Sequence, residues 1–593
     1  MTKLLRSREI PVILPWTRRA GCAIMKTMLP KLRRTLPCLL AAAAAAAALS
    51  ACGGGALTID QPPAAYAAAA PAPGSLALST ATPAQLPVDA QITAGLVRLA
   101  EDRGSFKRDL STAVAGTPEG DILLVGSPIG YELRNRFLDP GIPLAEAFAA
   151  NTDPVFRRQL IEMARWDRDD ESRASALLAL ARWHDIAHLQ IFNEALIHLD
   201  PGVRFAALQA LIVWGHPREA KVLLAAASEK DSEPILRVYA AYGLALLGDP
   251  SGLARLRQFL ESPSWLVKAL AAKSLGEVGT AEDYDLLLNR LDGEVGNDFV
   301  VAEFCVSALK LFPKKIAANE KAAALAPRRA PSQPISGNLV MDKEMAYELE
   351  PLVVTAPRVQ AQKEMIDPRI NQQLLRLLDQ RMDARPDSTA QLDASIGNLN
   401  KLTTMAGYSL QTRYTELGFL LTEGLAGTSD YQLQAELEKV VRLGTNVQTQ
   451  AAALVALAYT KDMRFLPLIQ SKIADPNITL RFAALESLLV LGDPSVEFQI
   501  GNIARSDASM PIRLYAAAAM WKMGDIFGRE ILLRRYQDPD WLTRAMCDHY
   551  LGELGGGDEY RRLQQELDGE SDFQVKAEIL DALVKLTPKK DGP

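Results

Sequence analysis

Residues Pro201–Ala227 read PGVRFAALQALIVWGHPREAKVLLAAA. Pro201 sits where a first helical turn tolerates a missing N–H. Phe205, Leu208, Leu211 and Ile212 fall at helical spacing and form one apolar stripe. Gly215 ends this helix at a position suited to left-handed backbone. A second helix follows, with Ala220, Leu223, Leu224 and Ala227 turned inward. Such a pair has two apolar faces and cannot cover both alone, so it needs a neighbour on each side.

The neighbours are there. A run built on basic-x-x-Ala-x-x-x-Leu returns ten times with some drift, at Arg173, Arg204, Arg237, Lys268 and Ala302, then at Gln450, Arg481, Arg513, Arg544 and Lys576. The steps are 31, 33, 31 and 34 residues in the first block and 31, 32, 31 and 32 in the second. A period in this range marks stacked helix pairs. Glycine recurs at the turn as Gly248, Gly279, Gly492, Gly524 and Gly555.

Eight of the ten copies keep Arg or Lys in the first turn of the first helix, where the helix dipole disfavours a cation by roughly 0.3–1 kcal/mol. Twelve residues later, five copies carry an acid: Asp185, Asp249, Asp462, Asp493 and Asp525. Asp there caps the second helix and is expected to face a basic residue of its own or a neighbouring repeat. The resulting structural ladder takes in Arg204, Arg237, Asp249, Arg481, Asp493, Arg513 and Asp525.

These runs resemble the HEAT family, in particular the short HEAT-like repeats of phycobilisome lyases. The motif DPxxRxxAAxALxxLGD stands, with departures, in DPGVRFAALQALIVWGH and DPNITLRFAALESLLVLGD. The second has two extra residues before its Arg, so its first turn is expected to differ. The resemblance implies an α-solenoid and a role in scaffolds, adaptors or enzyme accessory factors.

The blocks correspond in order. Gly130-Tyr131-x-Leu133-x-x-Arg136 reappears as Gly407-Tyr408-x-Leu410-x-x-Arg413, and Arg204-Phe205-Ala206-Ala207-Leu208 as Arg481-Phe482-Ala483-Ala484-Leu485, both 277 residues on. Pro263-x-Trp265-Leu266-x-Lys268 matches Pro539-x-Trp541-Leu542-x-Arg544 at 276. A whole solenoid has been duplicated. The expected fold is all-α, two tandem HEAT-like modules at 91–315 and 371–590, joined by a partly disordered Ala/Pro-rich linker at 316–370.

The N-terminus supplies an address. Residues 1–51 hold nine basic side chains and one acid and end in Leu49-Ser50-Ala51 before Cys52. This resembles a bacterial lipoprotein signal, with Lys26, Lys31, Arg33 and Arg34 as the positive region and Leu39–Leu49 as the apolar one. A start at Met25 would make 25–51 the signal and 1–24 an over-extended gene start. The resemblance implies lipid on Cys52 and, with Gly53 following, an outer-membrane lipoprotein facing the periplasm. Residues 52–90 read as a flexible tether.

The whole chain has formal charge −6, and without residues 1–51 it is near −14. That charge opposes nucleic-acid binding. Cys305 and Cys547 fall three residues after their register positions and read as buried small hydrophobes. His184 and His188 are four apart, but His184 holds the turn position, so no continuous helix carries both. Asp167, Asp169, Asp170 and Glu171 read as helix capping and solvation. No catalytic, nucleotide-binding or metal motif stands out, so neither a cofactor nor a small-molecule substrate is expected. Glu348–Arg358 (ELEPLVVTAPR) resembles the TonB box of outer-membrane receptors, and its Leu352, Val353 and Val354 are candidates for strand addition to a partner. Arg529, Arg534, Arg535, Arg561 and Arg562 are candidates on the second-helix faces. The function expected is a non-enzymatic, membrane-anchored periplasmic scaffold whose repeat surfaces hold protein partners of the cell envelope. The alternatives are an accessory factor for an envelope enzyme and a protein that binds cell-wall polymer.

Overall fold

A computed structural model describes residues 88–589, apart from 104–105, 107–109, 111, 126, 152, 295–296, 326–365, 383–398, 400–401, 403, 416 and 427–430. The expected leader, Cys52, nearly all of the tether, and Leu352, Val353 and Val354 lie outside the described residues.

The described regular structure is helical. The first half supplies α1 (Ala90–Asp102), α2 (Pro118–Leu124), α3 (Pro128–Leu138), α4 (Gly141–Ala150), α5 (Pro154–Trp166), α6 (Asp170–Ala181) and α7 (Leu189–Ala195). It continues with α8 (Pro201–Val213), α9 (Pro217–Lys230), α10 (Pro234–Leu246), α11 (Pro250–Phe259), α12 (Trp265–Val278), α13 (Ala281–Leu291) and α14 (Asp298–Leu325). The second half supplies α15 (Pro368–Met382), α16 (Met405–Thr415), α17 (Leu417–Ala426), α18 (Tyr431–Leu443), α19 (Val447–Tyr459) and α20 (Leu466–Ser471). It ends with α21 (Ile478–Leu491), α22 (Glu497–Ser506), α23 (Met510–Lys522), α24 (Ile526–Leu533), α25 (Trp541–Leu554), α26 (Gly557–Leu567) and α27 (Phe573–Leu586).

Caps fix where the first helix of a pair begins. Asp169, Asp200, Asn446, Asn477, Asp540 and Asp572 stand four residues ahead of Arg173, Arg204, Gln450, Arg481, Arg544 and Lys576, and each side chain accepts from a backbone N–H of the opening turn. The two extra residues before Arg481 therefore do not alter its first turn as expected. Asn477 takes over as cap, and the insertion stays in the preceding loop. Gly215, Gly248, Gly492 and Gly524 are left-handed, as the turn requires. Gly279 and Gly555 share the position but not the conformation, since both helices end in extended backbone. There glycine is needed because a Cβ would lie 2.3 Å from the carbonyl oxygen of Leu275 or Leu551.

The inner helices α4, α6, α8, α10, α12 and α14 stack in that order, and α17, α19, α21, α23, α25 and α27 repeat the arrangement. Each row then meets the other at both ends, α14 against α17 and α27 against α4. The solenoid is closed, a ring of twelve inner helices among the described residues, with the shorter helices between them forming an outer layer. α1 lies on α4 and α27, and its counterpart α15 lies on α14 and α17. Ile92, Leu96 and Leu99 of α1 are buried, as are Ile370, Leu374 and Leu377 of α15.

The boundary expected at 315 moves. α14 runs through Pro313 to Leu325, ten residues into the expected linker. Pro313 removes one ladder bond, and the lysines behind it fasten the continuation. Lys314 Nζ donates to Gly279 O at 2.8 Å, and Lys315 reaches Asp285 at 2.6 Å.

The ladder exists, with other acids on it. Arg204 Nε and Nη2 meet Asp231 at 3.0 and 3.2 Å, while Nη1 donates to the carbonyls of His198 and Leu199. Arg481 repeats this with Asp507 and the carbonyls of Asp475 and Pro476. Arg544 does so with Glu570, Asp538 O and Pro539 O. Each arginine thus ties the turn before its repeat to the turn after it, which compensates for a cation at a helix start. Asp249, Asp493 and Asp525 only cap, accepting from Ser251, Ser495 and Phe527 N–H at 2.8–2.9 Å. The Ser251 and Ser495 hydroxyls, and after them those N–H bonds, lower the carboxyl pKa of Asp249 and Asp493. Arg237 and Arg513 have proline where the acid should be, at Pro263 and Pro539, and their buried Nε atoms have no hydrogen-bond partner among the described residues.

Candidate functional site

The motif that revealed the duplication supplies an arginine to each joint of the ring. Arg136 of α3 reaches Glu578 of α27, Nε and Nη2 both meeting Oε2, at 3.1 and 2.7 Å. Nη2 also meets Asp581 Oδ2 at 2.7 Å, and Nη1 meets Glu146 at 2.9 Å. Lys585 lies 2.6 Å from Glu146 and 2.7 Å from Asp581. At the second joint, Arg413 of α16 grips Glu303 of α14 with two bonds of 2.7 Å and meets Glu423 at 2.5 Å. Lys310 reaches Glu423 at 2.7 Å. Four residues are thus repeated, Arg and the α4/α17 Glu at an offset of 277, the α14/α27 Glu and Lys at 275.

Burial opposes the charge of Arg136, but Glu578, Glu146 and Asp581 outweigh it and hold the guanidinium pKa above its ordinary value. Burial likewise works against Glu146, and Arg136 and Lys585 overcome it, bringing its carboxyl down to about 2. For Glu578 and Asp581 burial wins, and the carboxyls are pushed up to about 7 and about 6. Removing one member of a buried pair of this kind costs about 3–5 kcal/mol. His549 of α25 joins Glu578 and Asp581 in a group whose donor atoms could hold a metal ion. Motif reading along single helices missed it because its members come from two helices.

The inner face carries a second surprise. Sequence reasoning left the repeat surfaces to protein partners. Instead α2 packs across α21, α23 and α25, and α3 lies on α25 and α16. Thr479 Oγ1 donates to Leu124 O, and the Ser127 hydroxyl bonds Glu486. The physical reason is in the helices. On α21 nearly every residue from Ile478 to Leu488 is buried, so its apolar surface goes all round and needs cover on the ring side too. One carboxyl is shut inside, and burial pushes Glu486 up to about 8.

The outer surface sorts the sequence candidates. Arg529 is not a free surface group. Its Nε bonds Glu559 at 2.6 Å and ties α24 to α26. Arg535 pairs with Asp538 at 3.0 Å. Arg534 and Arg561 are exposed, at 78% and 68% of the side chain, and Arg562 is exposed beside them. Missed from sequence were Phe498, Met523, Ile526 and Phe527, all exposed, beside a hollow lined by Glu497, Met520, Met523, Gly524 and Asp525. The signal was apolar side chains at a rim turn.

The remaining residues are structural. His184 takes left-handed backbone at φ 50° and faces Trp214 O at 2.9 Å, whereas His188 faces Leu180 O at 3.0 Å. The two imidazoles therefore address separate carbonyls. Asp169 caps α6, and Asp167 accepts from Asp169 N–H. Cys305 and Cys547 are buried free thiols, and burial pushes Cys305 up to about 12. No helix among the described residues is long and apolar enough to cross a membrane.

Residues 221–309 match the HEAT repeats family. The matched stretch runs from α9 into α14, so the helix pairs there are similar to HEAT repeats. Similar solved structures include the karyopherin Kap121p bound to the extreme C-terminus of the protein phosphatase Cdc14p and Kap121p bound to Nup53p, each at 14% identity and TM-score 0.30, covering 83% of this chain and 49% of that one. Kap121p bound to Pho4p is similar at 14% identity and TM-score 0.29, covering 83% and 50%. The chain spans about half the length of these structures. No curated protein sequence matches it.

Proposed function

We propose that this chain is a non-enzymatic, membrane-anchored periplasmic scaffold that holds protein partners on the outer surface and rim of a closed HEAT-like ring. One observation carries the reading. The ring-facing sides of α21, α23 and α25 are covered by α2 and α3, so the reading places recognition on what still faces solvent. There Phe498, Ile526 and Phe527 expose 72%, 53% and 60% of their surface close together, and an exposed apolar patch of this kind marks a contact surface. Arg534, Arg561 and Arg562 lie on neighbouring outer helices and suit a partner that brings acidic groups to the edge of an apolar contact. The phycobilisome-lyase type of the repeats and the lipoprotein signal are part of the proposal, with Cys52 as the anchor supported by its Leu-Ser-Ala-Cys context.

In-cell crosslinking followed by mass spectrometry tests this, comparing the native chain with a Phe498→Glu, Phe527→Glu double variant and with Cys52→Ser. The native chain is expected to crosslink envelope proteins and fractionate with membranes. The double variant should lose those partners, and Cys52→Ser should leave the membrane fraction. An unchanged partner set in the double variant would overturn the rim assignment, and unchanged fractionation of Cys52→Ser would overturn the anchor.

A further inference from the structure

One duplication produced both joints, so each is a reference for the other. At the joint of α14 with α17 the charges match. Arg413 and Lys310 face Glu303 and Glu423, both oxygens of Glu303 are bonded to Arg413, and the Tyr414 hydroxyl adds a bond at 3.1 Å. Close by, Lys273 pairs with Glu277. At the joint of α27 with α4 the same four positions hold Arg136, Lys585, Glu578 and Glu146, but their surroundings have changed. Asp581 replaces Val306, His549 replaces Lys273, and Phe137 replaces Tyr414. This joint has therefore gained a carboxylate and lost an ammonium group and a hydroxyl.

The charged groups already there leave part of each acid unused. Arg136 takes only Oε2 of Glu578, and Arg136 and Lys585 take Oδ2 of Asp581. Glu578 Oε1, Asp581 Oδ1 and His549 Nδ1 are buried and have no hydrogen-bond partner among the described residues. The two carboxylate side chains are 0% and 2% exposed. One donor atom from each of the three residues lies within 4.8 Å of the others, and His549 Nδ1 stands 3.7 Å from Glu578 Oε2. Metal–ligand bonds of about 2.0–2.2 Å bring donors within about 4.4 Å of one another, a distance that small side-chain rotations reach. One imidazole and two carboxylates suit a first-row divalent ion. The bonds from Arg136 and Lys585 to the outer oxygens orient the ligands as the partners of metal-bound carboxylates do.

We propose that His549, Glu578 and Asp581 form a site for a divalent cation of the zinc type, which supplies the positive charge this joint lacks and fastens α25 and α27 where the ring closes on α4. The inference does not depend on which partner the outer surface holds.

The purified full chain, stripped with chelator and dialysed against Zn²⁺, tests it through bound zinc by elemental analysis and through the thermal midpoint. The native chain is expected to retain one equivalent and to unfold at a higher temperature with zinc than without, as any ligand of the folded state alone requires. His549→Ala and Asp581→Val should each lose that equivalent and the zinc-dependent shift. Asp581→Val copies the residue that the other joint carries beside the same Arg, Lys and two Glu, so it is the variant expected to fold and decides the matter should His549→Ala fail to fold. No zinc retained by the native chain, or the same equivalent retained by Asp581→Val, would overturn the proposal.

Discussion

Glu486 on α21 and Gln209 on α8 occupy equivalent places, 277 residues apart. Glu486 is 1% exposed, and burial raises its carboxyl pKa from 4.5 to about 8, with the nearby Glu132 adding to the effect and the Ser127 hydroxyl opposing it. Between those values the folded chain keeps a proton that the unfolded chain has lost. Stability therefore falls as pH rises through that window and levels off above it. Glu486→Gln, which copies the other half, should remove most of this slope and stabilise the fold at pH 8.5 by on the order of 2–4 kcal/mol. Urea unfolding midpoints at pH 5 and 8.5 check it. A variant as pH-sensitive as the native chain would contradict the assignment. The sequence displayed both residues in register, but that one faces α2 and α3 rather than water could not be read from it.

Close helix contacts are set by two glycines at the same register. A Cβ on Gly552 of α25 would lie 2.4 Å from Ala582 Cβ of α27, and one on Gly276 of α12 would lie 2.9 Å from Ser307 Cα of α14. Gly552→Ala must push α25 from α27. Overpacking costs about 1–3 kcal/mol, which outweighs the gain of up to about 1 kcal/mol in helix propensity. The expected result is a net loss of stability in urea or thermal unfolding, whereas Gly418→Ala, with nothing within 4 Å, should be neutral or slightly stabilising. Helix pairs and their caps were legible from spacing alone. The ladder was legible in its bases and misread in its acids. Asp at the first-to-second-helix turn seemed the natural partner, yet arginine in the opening turn lies beside the other edge of the stack. There Asp231, Asp507 and Glu570, 26 or 27 residues on, receive it.

For the whole molecule, closure brings the two ends of the described chain together. Gln91 Nε2 on α1 donates to Asp568 just after α26 at 2.9 Å, across 477 residues. Gln91→Cys with Asp568→Cys is therefore expected to be joined by a short bis-maleimide, with the linked peptides identified by mass spectrometry. Cys305 and Cys547 are buried and do not compete. Failure of this pair to link while each cysteine alone reacts with maleimide would indicate an open stack. Closure also changes what a curved repeat protein has to offer, since the inner sides of α21, α23 and α25 are spent on the chain's own α2 and α3 while the outer surface remains.

Periodicity, the helix pairs, their caps and turns, and the duplication were determined by the sequence itself, because each rests on residues close along the chain or on self-comparison. The tertiary structure alone decided that two solenoids become one ring, which acids meet the arginines, and which faces stay open. Arg136 and Glu578 are 442 residues apart, and whether they meet depends on a small rotation accumulated over many stacked repeats. That rotation is set by how side chains interlock between neighbouring helices, a property that a local pattern of apolar and charged residues leaves open.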